Sequence, residues 1–116
     1  MSQPVDHDEP LFPMPPVTEQ ALRVAVKRLD LTAAVRFETE FHAAWQEAVQ
    51  TDSTVPMHTF LDRWAVFVAL RRHPVRARRL RELEHAAAQA ADVATARAKS
   101  EEIAALLDEA MREAVA

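Results

Sequence analysis

The absence of glycine is the feature that most limits how this chain can fold, because none of its 116 residues is a glycine. Asparagine is absent as well. These two residue types adopt left-handed backbone most readily, and tight β-hairpin turns and many helix ends depend on that conformation. Alanine, leucine, arginine and glutamate are abundant, and they favour helix. The sequence therefore predicts an all-α fold whose helices end without glycine.

Composition narrows the classes of function. The chain has the length of one domain, and its 49% hydrophobic and 28% charged residues are ordinary for a soluble globular protein. Without cysteine it has no disulfide, thiolate zinc site or cysteine nucleophile, and without glycine it has no P-loop or dinucleotide fingerprint. It shows neither an apolar run of about 18 residues nor a signal-peptide pattern. The expected location is the cytoplasm.

Two segments are expected along the chain. Residues 1–17 hold five of the seven prolines and three acidic residues, which predicts a proline-rich, acidic, disordered tail. Within this tail, Leu11, Phe12 and Met14 are candidates for covering the helical core. Residues 18–116 are expected to form a single α-helical domain of four to five helices.

Polar residues and prolines predict where the first helices begin and end. Thr18 suits the N-cap of a first helix that ends near Asp30, and Asp30 or Thr32 suits the N-cap of a second. Pro56 suits the start of a third helix, and Pro74 ends it and begins a fourth. One face of the second and third helices predicts an aromatic core, built from Ala34, Phe37, Phe41, Trp45, Ala48, Phe60, Leu61, Trp64, Phe67 and Val68.

A C-terminal antiparallel helical hairpin is expected after Pro74. Asp92 is a candidate N-cap for a fifth helix that runs to about Ala114. One continuous helix over residues 74–114 is the alternative, because neither glycine nor proline interrupts this stretch. The residues of the fifth helix expected to face inward are Ala98, Ile103, Leu106, Leu107, Ala110 and Met111.

Six arginines lie within Arg71–Arg81, with no acidic residue among them. Arg71 and Arg72 end the third helix, where the helix dipole favours a cation, whereas the arginines after Pro74 lie at a helix start, where it does not. Arg78 has a possible salt-bridge partner in Glu82, but the row of Arg72, Arg76 and Arg79 has few acids in reach. The first interpretation of the patch is a mostly solvated surface. If it is functional, the candidate contacts, to an acidic protein first or to nucleic-acid phosphates second, are Arg72, Arg76, Arg79 and Arg78.

Other chemistry-bearing residues do not combine into a recognisable site. His58 and Asp62 are spaced to place two ligands on one metal ion, but no third ligand is implied. Glu38 and His42 have the pattern of an exposed helix surface. No catalytic, metal-binding or cofactor-binding residue is predicted, and an enzyme is not expected.

The order of residues in the third and fourth helices resembles a family of small all-α proteins of unknown function from high-GC bacteria. Pro56, Met57, Phe60, Leu61, Trp64 and Pro74 match that family's order, and the stretch "PMPPVTEQALRVAV" near the N-terminus is similar too. The resemblance covers residues 13 to about 110. It implies a gene that lies beside one for a small toxin-like protein of the RelE/ParE type, and so an antitoxin-like role. It transfers no site residue.

The functional prediction is a non-enzymatic protein-interaction module, antitoxin-like, whose partner is a small basic toxin. A formal net charge of −4 fits a basic partner. The alternative is a nucleic-acid-binding regulator that uses the Arg71–Arg81 basic patch. No cofactor and no membrane partner is expected.

Overall fold

Five helices and no strand make up the described part of the chain, residues 9–115 of a computed structural model. The all-α fold is therefore confirmed, with five helices. They are α1 (Glu19–Leu29), α2 (Leu31–Thr51), α3 (Val55–Arg71), α4 (Pro74–Ala88) and α5 (Val93–Val115). None of them combines the length and the apolarity that a membrane span needs.

The first two helices begin at the predicted caps. The Thr18 hydroxyl accepts a hydrogen bond from the Ala21 N–H at 3.2 Å. The Asp30 carboxylate accepts hydrogen bonds from Thr32 N–H at 2.9 Å and Ala33 N–H at 3.2 Å, while its own N–H donates back to α1. Asp30 thus ends α1 and starts α2, so the two helices are joined by one residue.

The described helices end without glycine, and α1 to α4 each have a different backbone conformation at the C-cap residue. Asp52 ends α2 in left-handed backbone, with φ 51° and ψ 49°, a conformation that aspartate tolerates better than most residues. Helix α4 ends at Gln89, and the Asp92 carboxylate accepts a hydrogen bond from Thr95 N–H at 2.7 Å to start α5. Residues 74–114 therefore form two helices, which pack against each other as a hairpin, and not one continuous helix.

The core lies around α3, which packs against each of the other four helices. The Phe37 ring of α2 meets Phe60 and Trp64 of α3 edge to face, with centroid distances of 4.9 and 5.2 Å. The Trp64 indole N–H donates to Glu40 at 3.0 Å, which satisfies its polar atom. The aromatic core that was predicted between the second and third helices is therefore confirmed.

Some residues expected in the core lie at the surface. Trp45 of α2 is exposed, as are Ala98, Leu107 and Met111 of α5. The pattern was ambiguous because α2 carries apolar side chains over more of its circumference than α1 and α3 can cover. Among the described helices, α5 packs only against α3 and α4, so the apolar side chains on its other faces are exposed.

Residues 9–17 run along the helices without regular structure. Leu11 N–H donates to the Arg72 carbonyl at 2.7 Å, and the Arg28 guanidinium lies 4.6 Å from the centre of the Phe12 ring. Phe12 and Met14 pack against the core as expected, whereas the Leu11 side chain is exposed. Residues 1–8 of the predicted tail lie outside the described residues.

Candidate functional site

The predicted arginine row lies against α5, and two of its members are inside the protein. Arg72 and Arg76 are each only 8% exposed. Arg72 Nη2 lies 2.6 Å from one carboxylate oxygen of Glu113, and Arg76 Nη2 lies 3.0 Å from the other. Both guanidinium groups therefore share a single carboxylate, which lies near the end of α5.

Further ion pairs continue this contact along the hairpin. Arg76 also lies 3.3 Å from Glu109, and Arg79 lies 2.8 Å from Glu102. Arginines with higher residue numbers pair with glutamates that have lower residue numbers, and this is the order expected between antiparallel helices. The expectation that the row has few acids in reach is therefore wrong. It considered neighbours along the sequence, whereas Glu113 follows Arg72 by 41 positions.

Backbone groups complete the cluster around Glu113. Arg72 Nη1 donates to the Phe12 carbonyl at 2.9 Å, and Arg76 Nη1 donates to the Ala69 carbonyl at 3.2 Å. The buried His73 places Nε2 at 3.3 Å from Glu113. The cluster thus joins the N-terminal segment, the end of α3, the start of α4 and the end of α5.

Glu113 is held as a carboxylate. Burial by itself raises the pKa of Glu113, but hydrogen bonds from Arg76 and Arg72, together with their positive charges, outweigh burial and hold this pKa at about 2. The group therefore remains ionised throughout the physiological range. Its chemistry is that of a counter-ion for two buried cations and not that of a proton donor.

The other arginines of the patch lie at the surface. Arg79 is half exposed, and it approaches Glu82 at 3.9 Å in place of the expected pair between Arg78 and Glu82. Arg78 and Arg81 are exposed and form no ion pair with the described residues. Arg71 stacks on Phe67 with 4.8 Å to the ring centre. Of the four candidate contact residues, Arg78 and Arg79 are accessible to a partner, whereas Arg72 and Arg76 are enclosed.

Metal-binding side chains do not cluster in the described part of the chain. Residues 9–115 contain no group of three or more histidines, aspartates or glutamates that could hold a metal ion. His58 and Asp62 are both exposed on α3, and no third ligand joins them within this range.

An apolar groove lies between α3 and the end of α5. It has a volume of about 410 Å³, and Met111 and Val115 on its α5 side are exposed to solvent. Asp62 is the one charged side chain among the described residues that line it. The sequence placed Met111 in the core because apolar periodicity does not show which side of a helix its neighbours cover. The residues lining the groove are Val17, Asp62, Ala65, Val66, Met111, Ala114 and Val115.

No protein family, curated protein or solved structure matches the chain. The resemblance drawn from the third and fourth helices therefore stays a prediction, as does the antitoxin-like role that it implies.

Proposed function

We propose that this protein is a protein-interaction module and that its partner binds in the groove between α3 and α5. The observation that carries the proposal is the exposure of Met111 and Val115 beside a concave apolar surface of about 410 Å³. Apolar patches with a charged rim commonly mark protein-binding sites. A concave site of this size can enclose one or two anchoring side chains of a partner, which dominate binding energy at many interfaces.

The chemistry of the groove suggests the kind of partner. Met111 is flexible and polarizable, so it adapts to apolar side chains of different shapes. The Asp62 carboxylate at the rim would pair with a lysine or arginine of the partner. The net charge of −4 favours encounter with a basic protein. We propose a partner segment with apolar anchors and a basic residue, as a small basic toxin would offer if the role is antitoxin-like.

The arginine cluster supports protein binding over nucleic-acid binding. Arg72 and Arg76, half of the candidate phosphate contacts, are paired with Glu113 inside the protein. Phosphate binding depends on cations that can replace the counter-ions of the backbone, and enclosed guanidinium groups cannot do so. Of the candidate contacts, only Arg78 and Arg79 remain accessible, beside the exposed Arg81 and the partly exposed Arg71 of the same patch.

Co-expression with the product of the adjacent gene tests the proposal. The tagged chain is expected to co-purify with that protein, and Met111→Glu is expected to weaken binding at least tenfold because it places a charge in the apolar groove. Val93→Glu is the matched control, because Val93 lies exposed on the same helix but outside the groove. Circular dichroism verifies that both variants fold.

Two outcomes would contradict this function. One is that neither the adjacent gene product nor any other protein associates with the wild-type chain. The other is that Met111→Glu and Val93→Glu bind the partner equally well, which would place the interaction elsewhere.

A further inference from the structure

Helix α2 has an exposed apolar face that no described residue covers. Leu31, Val35, Trp45 and Val49 are 72%, 69%, 55% and 63% exposed. They lie to one side of Phe37, which is fully buried, and the outer two residues near the end of α2, Trp45 and Val49, also line a shallow hollow with Met57 of α3. Large apolar side chains exposed at both ends of one helix face are unusual for the surface of a monomer.

The spacing of this face is that of a helix that pairs with another helix. From Leu31 the face continues through Val35, Glu38, His42, Trp45 and Val49, with steps of four, three, four, three and four residues. Alternating steps of four and three keep side chains on one seam, as in coiled coils. The seam extends over about 27 Å of helix.

The seam reads the same in both directions about position 40. Leu31 and Val49 lie nine residues on either side of that position, Val35 and Trp45 lie five, and Glu38 and His42 lie two. Suppose that two α2 helices pack antiparallel about a two-fold axis at position 40. Apolar side chains of one copy then face apolar side chains of the other in the outer layers, and Glu38 faces His42 of the other copy near the middle. A two-fold interface needs such self-complementarity, because each contact occurs twice.

We propose that the α2 seam is a self-association surface, on which a second copy of this chain packs antiparallel through the seam of its own α2. The occupant is a second copy and not an unrelated helix, because the order of apolar and polar residues along the seam matches its own reversal. This surface is separate from the α3–α5 groove and does not depend on the function proposed for it.

The charges around the seam favour the pairing. Thr32, Thr39, Gln46 and Gln50 flank it on the exposed side and carry no charge. Arg36 and Glu40 lie within 3.7 Å of each other and, with Arg63 at 3.8 Å from Glu40, belong to the side that faces α3. The four uncharged flanking side chains add no like charge to the seam, and on the α1 side Arg23 is paired with Glu38 of its own copy.

Glu38, one member of the central polar pair, is already held in position by Arg23 of its own copy. Arg23 Nε donates to Glu38 at 2.5 Å and Arg23 Nη2 donates at 3.0 Å, and these hydrogen bonds lower the pKa of Glu38. The carboxylate is thus ionised and fixed in position, with lone pairs left to accept a hydrogen bond from His42 of the second copy. The pair occurs twice, so the two central layers of the seam are polar, and they specify register because a shift sets polar side chains against apolar ones.

Sedimentation equilibrium over a concentration series tests the surface. We expect the wild-type chain to form dimers, and we expect Val35→Glu to weaken dimerisation at least a hundredfold, because it sets a carboxylate against Trp45 of the other copy. The double variant Val35→Glu with Trp45→Arg is expected to recover dimerisation to within tenfold of wild type. Positions 35 and 45 are about 15 Å apart within one helix, so the recovery must come from pairing between copies.

The matched control for this rescue is Val35→Glu with Val49→Arg. It introduces the same two charges, but position 49 faces position 31 and not position 35 in the antiparallel register. We expect this variant to remain monomeric. Val35 and Val49 are exposed, so each variant should keep the helical circular dichroism of the wild type.

Cross-linking gives a second measurement of the register, helped by the absence of native cysteine. Oxidation of a mixture of Val35→Cys and Trp45→Cys chains should give covalent dimers that contain one of each. Val35→Cys alone should give at least tenfold fewer, because its two copies are offset by about 15 Å in the antiparallel arrangement.

Three outcomes would overturn the proposal. The proposal is wrong if the wild-type chain is still monomeric at a concentration of about 100 μM, since even a weak dimer with a micromolar dissociation constant would form there. A dimer that Val35→Glu leaves intact places the contact on another surface. Efficient cross-linking of Val35→Cys to itself replaces the antiparallel register with a parallel one.

Discussion

At the scale of single residues, the decisive contact is that of Glu113 with two buried arginines. Arg72 and Arg76 are buried and therefore largely removed from solvent. Glu113 neutralises only part of their charge, and Glu109 adds a second, more exposed carboxylate. Buried ion pairs often add little net stability compared with an apolar replacement, but removing one partner is costly. We therefore expect the cluster to help select one register of α5 against α3 and α4.

Replacement of Glu113 by glutamine is expected to lower the free energy of unfolding by about 3 kcal/mol, because two buried guanidinium groups lose their shared counter-ion. Urea denaturation at pH 7 measures this change. The control is Glu109→Gln, which should cost less than about 1 kcal/mol because Glu109 is more than half exposed. Equal losses in the two variants would show that the enclosed carboxylate has no special role.

The pH dependence of stability provides a check on the same residue. The pKa of Glu113 is about 2 in the folded chain, below its ordinary value of 4.5, so its contribution is complete above about pH 4.5 and is lost as the pH falls towards 2. At about 1.4 kcal/mol per pKa unit, the full contribution is about 3 kcal/mol. Glu113→Gln should remove this part of the acid dependence, and an unchanged acid profile would contradict the assignment.

At the scale of the helices, local signals predicted the ends and long-range contacts decided the faces. Thr18, Asp30 and Asp92 were identifiable as caps because a cap acts on backbone within three residues of itself. The surface position of Trp45 could not be predicted, because α2 carries apolar side chains both on its core face and on its exposed seam. The partner of Arg72 could not be found either, because only the folded hairpin brings Glu113 to it.

The helix ends also supply a prediction, since α2 ends in left-handed backbone at Asp52. Asp52→Gly is expected to raise the free energy of unfolding by about 0.5 kcal/mol, because glycine adopts this conformation without a steric cost. Thermal and urea unfolding measure the change. Asp52→Ala, which has a Cβ but no polar side chain, should lower stability by about as much. A loss of stability with glycine would mean that the Asp52 side chain stabilises the turn.

At the scale of the whole molecule, α3 joins two pairs of helices. Helices α1 and α2 pack on it and on each other, as do α4 and α5, and among the described helices neither α1 nor α2 makes close backbone contact with α4 or α5. The α2 seam and the α3–α5 groove therefore lie on different helix pairs. A dimer formed through the seam would leave both grooves open, so it could hold two partner molecules.

This separation predicts that the two surfaces work independently. Val35→Glu should become monomeric yet bind the partner with unchanged affinity per chain, and Met111→Glu should lose the partner yet remain dimeric. Titration calorimetry measures the first property and sedimentation the second. Loss of partner binding in Val35→Glu, in a chain that remains folded, would show that the groove is complete only in the dimer.

The arginine cluster also has a consequence for the order in which the chain folds during synthesis. Glu113 follows Arg72 by 41 positions, a delay of about 2 to 8 s at ordinary rates of translation. During that interval the guanidinium groups of Arg72 and Arg76 have no shared carboxylate, so burying them would be unfavourable. We therefore expect α4 to remain solvent-exposed until Glu113 has been made. Helices α1 to α3 can assemble first around their aromatic side chains. Helix α5, which is made after α4, then supplies the shared carboxylate, and α4 can pack together with it in one step.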